Sequence, residues 1–310
     1  MRNMAKNKIN IGTRSSQLAM WQAEAVKKAL LETFQNTQVE IVPINTKGDA
    51  VLDVALSKIG DKGLFTKEIE NALLDGRVDV AVHSLKDLPT LLPEGLTLGG
   101  VLPRGEVRDV LVSRDGRGLN ELTSADKIGT SSLRRQAQLL HFNPELQVVD
   151  IRGNVNTRLR KMEEGHCDAM IMAGAGFIRL GLEERITEFF PVEVMLPAVS
   201  QGAVAMEIRD NDPEMTEIIT QITDPKSLLT TSAERVFLKT IEGGCQVPVA
   251  CYSEVDGEKI TLTGLVASVD GSQLLKESVT CSLEHANANA RELGQKLLLA
   301  GGREILGQIR

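Results

Sequence analysis

Apolar runs and helical periodicity alternate through the first hundred residues. Ile9 to Gly12, Val39 to Ile44 and Val78 to Val82 are short, rich in branched side chains and bounded by polar residues, so they predict strands. Leu18, Trp21, Val26 and Leu30, and later Phe65, Ile69 and Leu73, recur at the three-to-four-residue spacing of a helix face. The same β-α-β-α order returns from Asp109 to Phe190, with strand candidates Val110 to Ser113, Lys127 to Gly129, Gln147 to Ile151 and Ala169 to Ala173. Such alternation predicts two α/β units with mainly parallel sheets. After Ser227 the pattern changes to one helix ending near Ile241 and three β-rich runs, Val247 to Tyr252, Ile260 to Val269 and Leu274 to Cys281, followed by a closing helix from Glu284. Turn signals at Asp256-Gly257 and Asp270-Gly271 separate those runs, which predicts a small α+β domain with a three-stranded antiparallel sheet. Pro, Gly and polar residues punctuate the chain at Gly99 to Val107, Pro191 to Gly202 and Thr223 to Ser227.

The 310 residues allow two domains and a smaller third. With 42% hydrophobic and 25% charged residues, the composition excludes disordered and fibrous classes. A net charge of −7 and few aromatics argue against a nucleic-acid partner. Cys167, Cys245, Cys251 and Cys281 fit neither the paired spacing of a zinc site nor a disulfide framework, so no metal is expected and a reducing compartment suits them. Cys251 and Cys281 fall within apolar strand patterns and read as core. The first ten residues lack an apolar signal core, and no later run has the length of a membrane span. The expectation is a cytoplasmic protein with no membrane partner.

Against this acidic background, arginines gather at strand-to-helix turns: Arg14 with Ser16, Arg134 and Arg135 after Gly129-Thr130-Ser131-Ser132, Arg152 with Arg158, and Arg179. Residues 127–161 carry seven Lys/Arg against two acids. Any one of these arginines could be a solvated charge or a salt-bridge partner. Together, guanidinium forks beside hydroxyls and helix N-termini suit a ligand bearing several carboxylates or phosphates. The phosphate loop GxxxxGK[ST] is absent, and Gly174-Ala-Gly176 departs from GxGxxG with Arg179 at the third glycine. His83, Ser84 and Asp87 are too close in sequence to stack as a hydrolase triad. Lys86 and Asp87 instead follow an apolar strand directly, where a surface turn accounts for them equally well. At the active edge of a sheet, however, a lone carboxylate could hold a proton or offset a developing cation. Cys245, in Glu242-Gly-Gly-Cys-Gln-Val-Pro248, reads as a loop thiol, incidental or able to carry a covalent load.

Motifs along almost the whole chain resemble the porphobilinogen deaminase family. They include Thr13-Arg14-x-Ser16-x-Leu18-Ala19, Lys62-Gly63-Leu64-Phe65, His83-Ser84-Leu85-Lys86-Asp87 and Gly129-Thr130-Ser131-Ser132-Leu133-Arg134-Arg135. Arg152-Gly153-Asn154-Val155, Leu196-Pro197-Ala198-Val199 and Glu242-Gly243-Gly244-Cys245-Gln246-Val247-Pro248 continue the match. Gln17 stands where many members have proline, and Ser200 where glycine is common.

The resemblance implies an enzyme that joins four porphobilinogen molecules head to tail, releases ammonia at each addition, and yields hydroxymethylbilane. It implies a covalent dipyrromethane cofactor, one per chain, on a thioether to Cys245. On this resemblance Lys86, Asp87, Thr130, Ser131, Ser132, Arg134 and Arg135 hold the cofactor. Arg14, Ser16, Phe65, Arg152, Arg158 and Arg179 serve the substrate, and Asp87 is the catalytic acid/base and cation stabiliser. The implied fold is two periplasmic-binding-protein-like α/β domains around a cleft, residues 1-102 plus 203-220 and residues 106-197, with a third α+β domain over 225-310. The polar, glycine-bearing stretch Thr46 to Gly63 reads as a lid or as a plain helix with polar ends, and a monomer is expected. The rival expectation is a non-enzymatic oxyanion-binding or sensor module, which would leave the Cys245 loop unexplained.

Overall fold

A computed structural model describes residues 6–34, 36–46, 66–241 and 247–309. Phe65, Cys245 and, apart from Thr46, the expected lid lie outside them. The chain divides into two compact units, residues 1–105 with 202–228, and residues 106–201 with 229–310.

In the first unit, β1 (Lys8–Arg14), α1 (Gln17–Thr33) and β2 (Gln38–Ile44) form a parallel crossover with Lys8 opposite Gln38. Helix α1 starts where the Ser16 hydroxyl accepts the Ala19 N–H, and it buries Ala19, Gln22, Ala23, Val26 and Leu30 along one stripe. Trp21, an expected member of that stripe, is 42% exposed. Next come α2 (Lys67–Leu74), β3 (Val80–Ser84) and β4 (Leu96–Val101). Strand β3 lies parallel to β1.

The strand order is β2-β1-β3-β10-β4, in which β10 (Val204–Arg209) runs antiparallel to both neighbours. The sheet is therefore mixed, not mainly parallel as the apolar alternation suggested. A strand arriving from more than a hundred residues downstream is inserted between β3 and the edge strand β4. Helix α6 (Pro213–Ile222) then packs its buried Met215, Ile218, Ile219 and Ile222 with Ile9, Ile11, Val80 and Met206 in one core.

The second unit holds β5 (Asp109–Ser113), β6 (Lys127–Gly129), α3 (Leu133–Phe142), β7 (Gln147–Val149), α4 (Val155–Glu163), β8 (Ala169–Ala173), α5 (Gly174–Arg179) and β9 (Glu188–Phe189). Their sheet runs β7-β6-β8-β5-β9, parallel across β7, β6 and β8 and antiparallel at β5 and β9. It too is mixed. Apolar side chains from both faces of its central strands build two cores, one around Phe177 and Met170, the other around Leu111, Ile128 and Phe190.

This unit also holds most of α7 (Pro225–Thr240), the antiparallel strands β11 (Val249–Asp256), β12 (Lys259–Ala267) and β13 (Leu274–Ser282), and α8 (Ala286–Leu297). The hairpin turn predicted at Asp256-Gly257 has Gly257 at φ +56, a value a side chain would resist. Phe237 is fully buried against this sheet, and a core of this kind forms around it with Ile260, Leu262, Leu293 and Leu297. Cys251 is in that core as expected, whereas Cys281 is only partly buried against it.

The turn after β12 docks on α3. His141 Nδ1 lies 2.9 Å from the Gly271 carbonyl oxygen, and a Cβ at Gly271 would strike the backbone of residues 137–141. Only glycine permits that approach. Ala137, Leu196, Ala250, Leu265 and Ala267 form an apolar seam beside it.

Candidate functional site

The parallel strands β1 and β3 place their carboxyl ends on one sheet edge, where α/β proteins gather ligands. Arg14 ends β1, and Ser16 caps the following helix. The fully buried Thr13 hydroxyl lies 3.3 Å from both the Ala19 and Val82 carbonyl oxygens, which ties the two strand ends together. After β3 the chain makes a single 3-10 turn, Leu85–Asp87. Leu85 is buried and donates its N–H to the Ala203 carbonyl at 3.0 Å, so Lys86 and Asp87 sit on a fixed turn at the sheet edge. Gln22, itself buried, donates to the Ser84 hydroxyl at 2.8 Å and braces the entry to that turn from α1. One pocket is lined by Arg14, Ser16, Gln22, Thr66, His83 and Asp87, among others, and Asp87 is its one lining carboxylate among the described residues.

The second unit builds a comparable edge after β6 and β7. Ser132 caps α3 by accepting the Arg135 N–H, Ser131 donates to the Ile151 carbonyl at 2.7 Å, and the Ser132 N–H reaches the Thr130 hydroxyl at 3.2 Å. The residues predicted after Gly129 and after Ile151 are thereby brought together. Asn154 caps α4 by accepting the Thr157 N–H at 2.9 Å, and Arg158 Nε donates to the Gly153 carbonyl at 2.9 Å. Arg152 Nη1 is buried without a hydrogen-bond partner among the described residues. Arg179 ends α5, and burial pulls its pKa down to about 10, which leaves it charged at neutral pH.

Arg134 and Arg135, expected at the cofactor, each make a buried ion pair. Both are nearly inaccessible, and both point to Asp109, which is fully buried. Arg134 Nη1 donates to Asp109 Oδ2 at 2.7 Å and to the Leu196 carbonyl at 2.8 Å. Arg135 donates from Nε and Nη2 to Asp109 Oδ1 at 3.1 and 2.7 Å, and from Nη1 to the Ile171 carbonyl at 3.0 Å. Gln201 adds a donor to the same carboxylate at 2.9 Å. Burial alone would raise the Asp109 pKa, but the two guanidinium groups and their hydrogen bonds hold it well below the usual carboxylate range. These arginines are thus internal salt-bridge partners at the base of α3, and the hydroxyls of residues 130–132 and Arg152 form the outward part of the edge.

Sequence reasoning missed Asp109 and Gln201. An acid directly before the uninterrupted apolar run Val110-Leu111-Val112 was the available signal, because a carboxylate carried inside by a buried strand requires cationic partners. The cluster of His83, Glu70 and Glu207 was missed as well. Glu207 lies within the apolar run 203–208, which gave the same kind of signal.

Each mixed sheet presents guanidinium groups, hydroxyls and a helix N-cap at its strand ends, and the first also carries a carboxylate there, a donor set that in an α/β protein suits carboxylate-bearing ligands. The family model "Porphobilinogen deaminase, dipyromethane cofactor binding domain" matches residues 9–217, and "Porphobilinogen deaminase, C-terminal domain" matches residues 228–300. A porphobilinogen deaminase of Syntrophotalea carbinolica is 48% identical over 99% of this chain and 97% of its own. One of Syntrophomonas wolfei is 50% identical over 97% of this chain and 99% of its own. Among solved structures, an ancestral cationic amino acid solute-binding protein aligns with 69% of this chain and 87% of its own, at a TM-score of 0.44 and 16% identity.

The chain belongs to the porphobilinogen deaminase family. It is a deaminating transferase of porphyrin biosynthesis with a dipyrromethane cofactor. The residues present fit that group: a dipyrromethane built from substrate carries acetate and propionate carboxylates, and the orphaned, buried Nη1 of Arg152 lacks the acceptor that a carboxylate supplies.

Proposed function

We propose that this chain condenses four porphobilinogen molecules head to tail, releasing ammonia at each addition, with Asp87 as its proton-handling carboxylate. The observation that carries the reading is the pocket in which Asp87 shares walls with Arg14 and Ser16. Arg14, with a guanidinium fork, and the Ser16 hydroxyl bind substrate carboxylates there and fix the reacting pyrrole beside Asp87. As ammonia leaves, positive charge spreads onto the pyrrole nitrogen of the substrate, and the Asp87 carboxylate offsets it. The same carboxylate then accepts the α-proton whose loss restores aromaticity.

The cofactor, when bound, supplies the pyrrole position to which the first substrate is joined. We assign its anchorage to a thioether at Cys245, its carboxylates to Lys86, Thr130, Ser131, Ser132 and Arg152, and the growing chain to Arg158 and Arg179. Arg134 and Arg135 contribute by fixing α3 through Asp109. We take residues 225–310 as a third domain that brings the Cys245 loop, and the protein as a cytoplasmic monomer acting on a small molecule, without nucleic acid or membrane. Among the described residues no helix is long and apolar enough to cross a membrane.

The test is single-turnover consumption of porphobilinogen by primer-loaded protein. Asp87→Glu retains measurable ammonia release, and Asp87→Ala loses it by roughly 100-fold or more, the range of a general acid–base contribution. A near-normal rate in Asp87→Ala removes Asp87 from the chemistry.

A further inference from the structure

Behind the Asp87 pocket, the first unit holds a group of polar side chains that ordinary folding would not leave as they stand. Thr66 Oγ1, Glu70 Oε1, His83 Nε2 and both carboxylate oxygens of Glu207 are buried, and none makes a hydrogen bond of good geometry among the described residues. Their convergence follows from strand register. Strand β10 pairs Ala205 with His83 and Glu207 with Ala81, so His83 and Glu207 are diagonal neighbours on one sheet face. His83 Nε2 lies 3.2 Å from Glu207 Oε2. Helix α2 supplies Glu70 and is preceded by Thr66.

Each buried polar atom left unpaired costs about 1–3 kcal/mol, and more when charged. Here His83 and Glu207 are in close ionic contact and Thr66 stands beside Glu70, so the remaining hydrogen-bonding capacity is open to a shared proton or a bridging water. Carboxylate oxygens in this group outnumber the two side chains that can donate, Thr66 and His83, so satisfying all of them takes a further donor such as water. Burial pushes the Glu70 carboxyl up, and the Glu207 charge adds to that shift, against the lowering influence of Thr66 and His83. Thr66 and His83 also line the pocket that contains Asp87 and Arg14, and its volume of about 70 Å³ admits water. The charged groups around His83 are therefore Glu207 on β10, Glu70 with Glu68 on α2, Arg14 at the end of β1, and Asp87 on the turn after β3; α1 contributes only the neutral Gln22.

We propose that His83, Glu207 and Glu70 form a hydrated, proton-sharing cluster that opens onto the pocket and sets the electrostatic environment of Asp87. They act as positioning residues for the proton transfers assigned to Asp87, and in that respect the inference rests on the function proposed above. No bond to substrate is made by the cluster. A proton accepted at the pocket is redistributed through water to the imidazole and the two carboxyls.

The test is nuclear magnetic resonance of histidine-labelled protein, with wild type and variants all compared in the unprimed state. With four histidines in the chain, His83 is assigned by comparison with His83→Asn. The expected result is that Asp87→Asn, a change on an exposed turn, moves the His83 titration midpoint down by ~0.3 pH unit or more, because a negative charge facing the same pocket is removed. Glu207→Gln moves it down further and shifts the acid limb of the single-turnover profile to lower pH, lowering kcat more than it raises KM. A His83 midpoint unchanged by Asp87→Asn overturns the proposal and leaves the cluster merely structural. That outcome needs no enzymatic activity and no folded Glu207 variant. It is thus distinguishable from failure of the Asp87 assignment, which Asp87→Ala turnover reads separately.

Discussion

Replacing Asp109 with asparagine removes one negative charge from a site that holds two buried positive ones. In the native protein this carboxylate is fully buried and accepts from Arg134, from two atoms of Arg135 and from Gln201. The asparagine amide keeps the volume but offers one acceptor, and it turns an N–H group toward a guanidinium. Breaking a buried pair by removing one partner costs about 3–5 kcal/mol, since the surviving charge stays desolvated. For a cooperative unit of 150–250 residues that corresponds to a fall in Tm of about 6–20 °C.

The assay is urea and thermal unfolding of the unprimed protein followed by circular dichroism. The pH dependence supplies a second signature. Because the folded-state pKa of Asp109 is depressed, its contribution is complete above the unfolded value near pH ~3.9 and is lost as pH falls from there toward the folded value. Wild-type stability therefore declines below about pH 4 by an amount that Asp109→Asn does not show. A variant within about 1 kcal/mol of wild type refutes the reasoning, because Arg134 and Arg135 would then not depend on Asp109 and would be free to hold ligand.

Two further substitutions separate function from stability. Arg152→Met removes an orphaned buried donor, so the unprimed protein keeps or gains thermal stability while carboxylate binding weakens by about 10- to 100-fold, as for the loss of a charged hydrogen bond; calorimetry and single-turnover kinetics on one preparation read both. Ser200 stands where the family commonly has glycine and adopts φ +62, with its hydroxyl buried and without a partner among the described residues. Ser200→Gly should raise stability by about 1–2 kcal/mol without altering turnover, and a loss in chemical denaturation would contradict the strain assigned to that position.

Much of the architecture was legible where local pattern decides it. Ser16, Ser132 and Asn154 lie at strand-to-helix turns in the sequence and cap helices in the structure. The hairpin signals at Asp256-Gly257 and Asp270-Gly271 fall between the strands they were expected to join. What stayed hidden depends on long-range pairing. Apolar alternation cannot tell that Val204–Arg209 enters between β3 and β4 in the antiparallel sense, because nothing local encodes a partner more than a hundred residues away.

The same limit governs the site. Lys86 and Asp87 were visible because they terminate a strand, and Arg14 because it precedes a cap. Arg134 and Arg135 looked identical to ligand-binding arginines, since a guanidinium at a helix start serves a bound carboxylate or an internal one equally well. What the sequence did not show is that Asp109, at the start of β5, accepts from both. Trp21 shows the converse, an apolar side chain at a plausible helical position that remains at the surface.

Whether the chain builds and carries its own primer is settled by the intact mass of the denatured protein before and after incubation with porphobilinogen, with peptide mapping across residues 242–248. The predicted result is an excess equal to two porphobilinogen units less two ammonias, confined to the peptide containing Cys245 and absent from Cys245→Ser. A chain that turns over porphobilinogen with an unmodified Cys245, or that keeps its unmodified mass after incubation, contradicts the covalently primed mechanism.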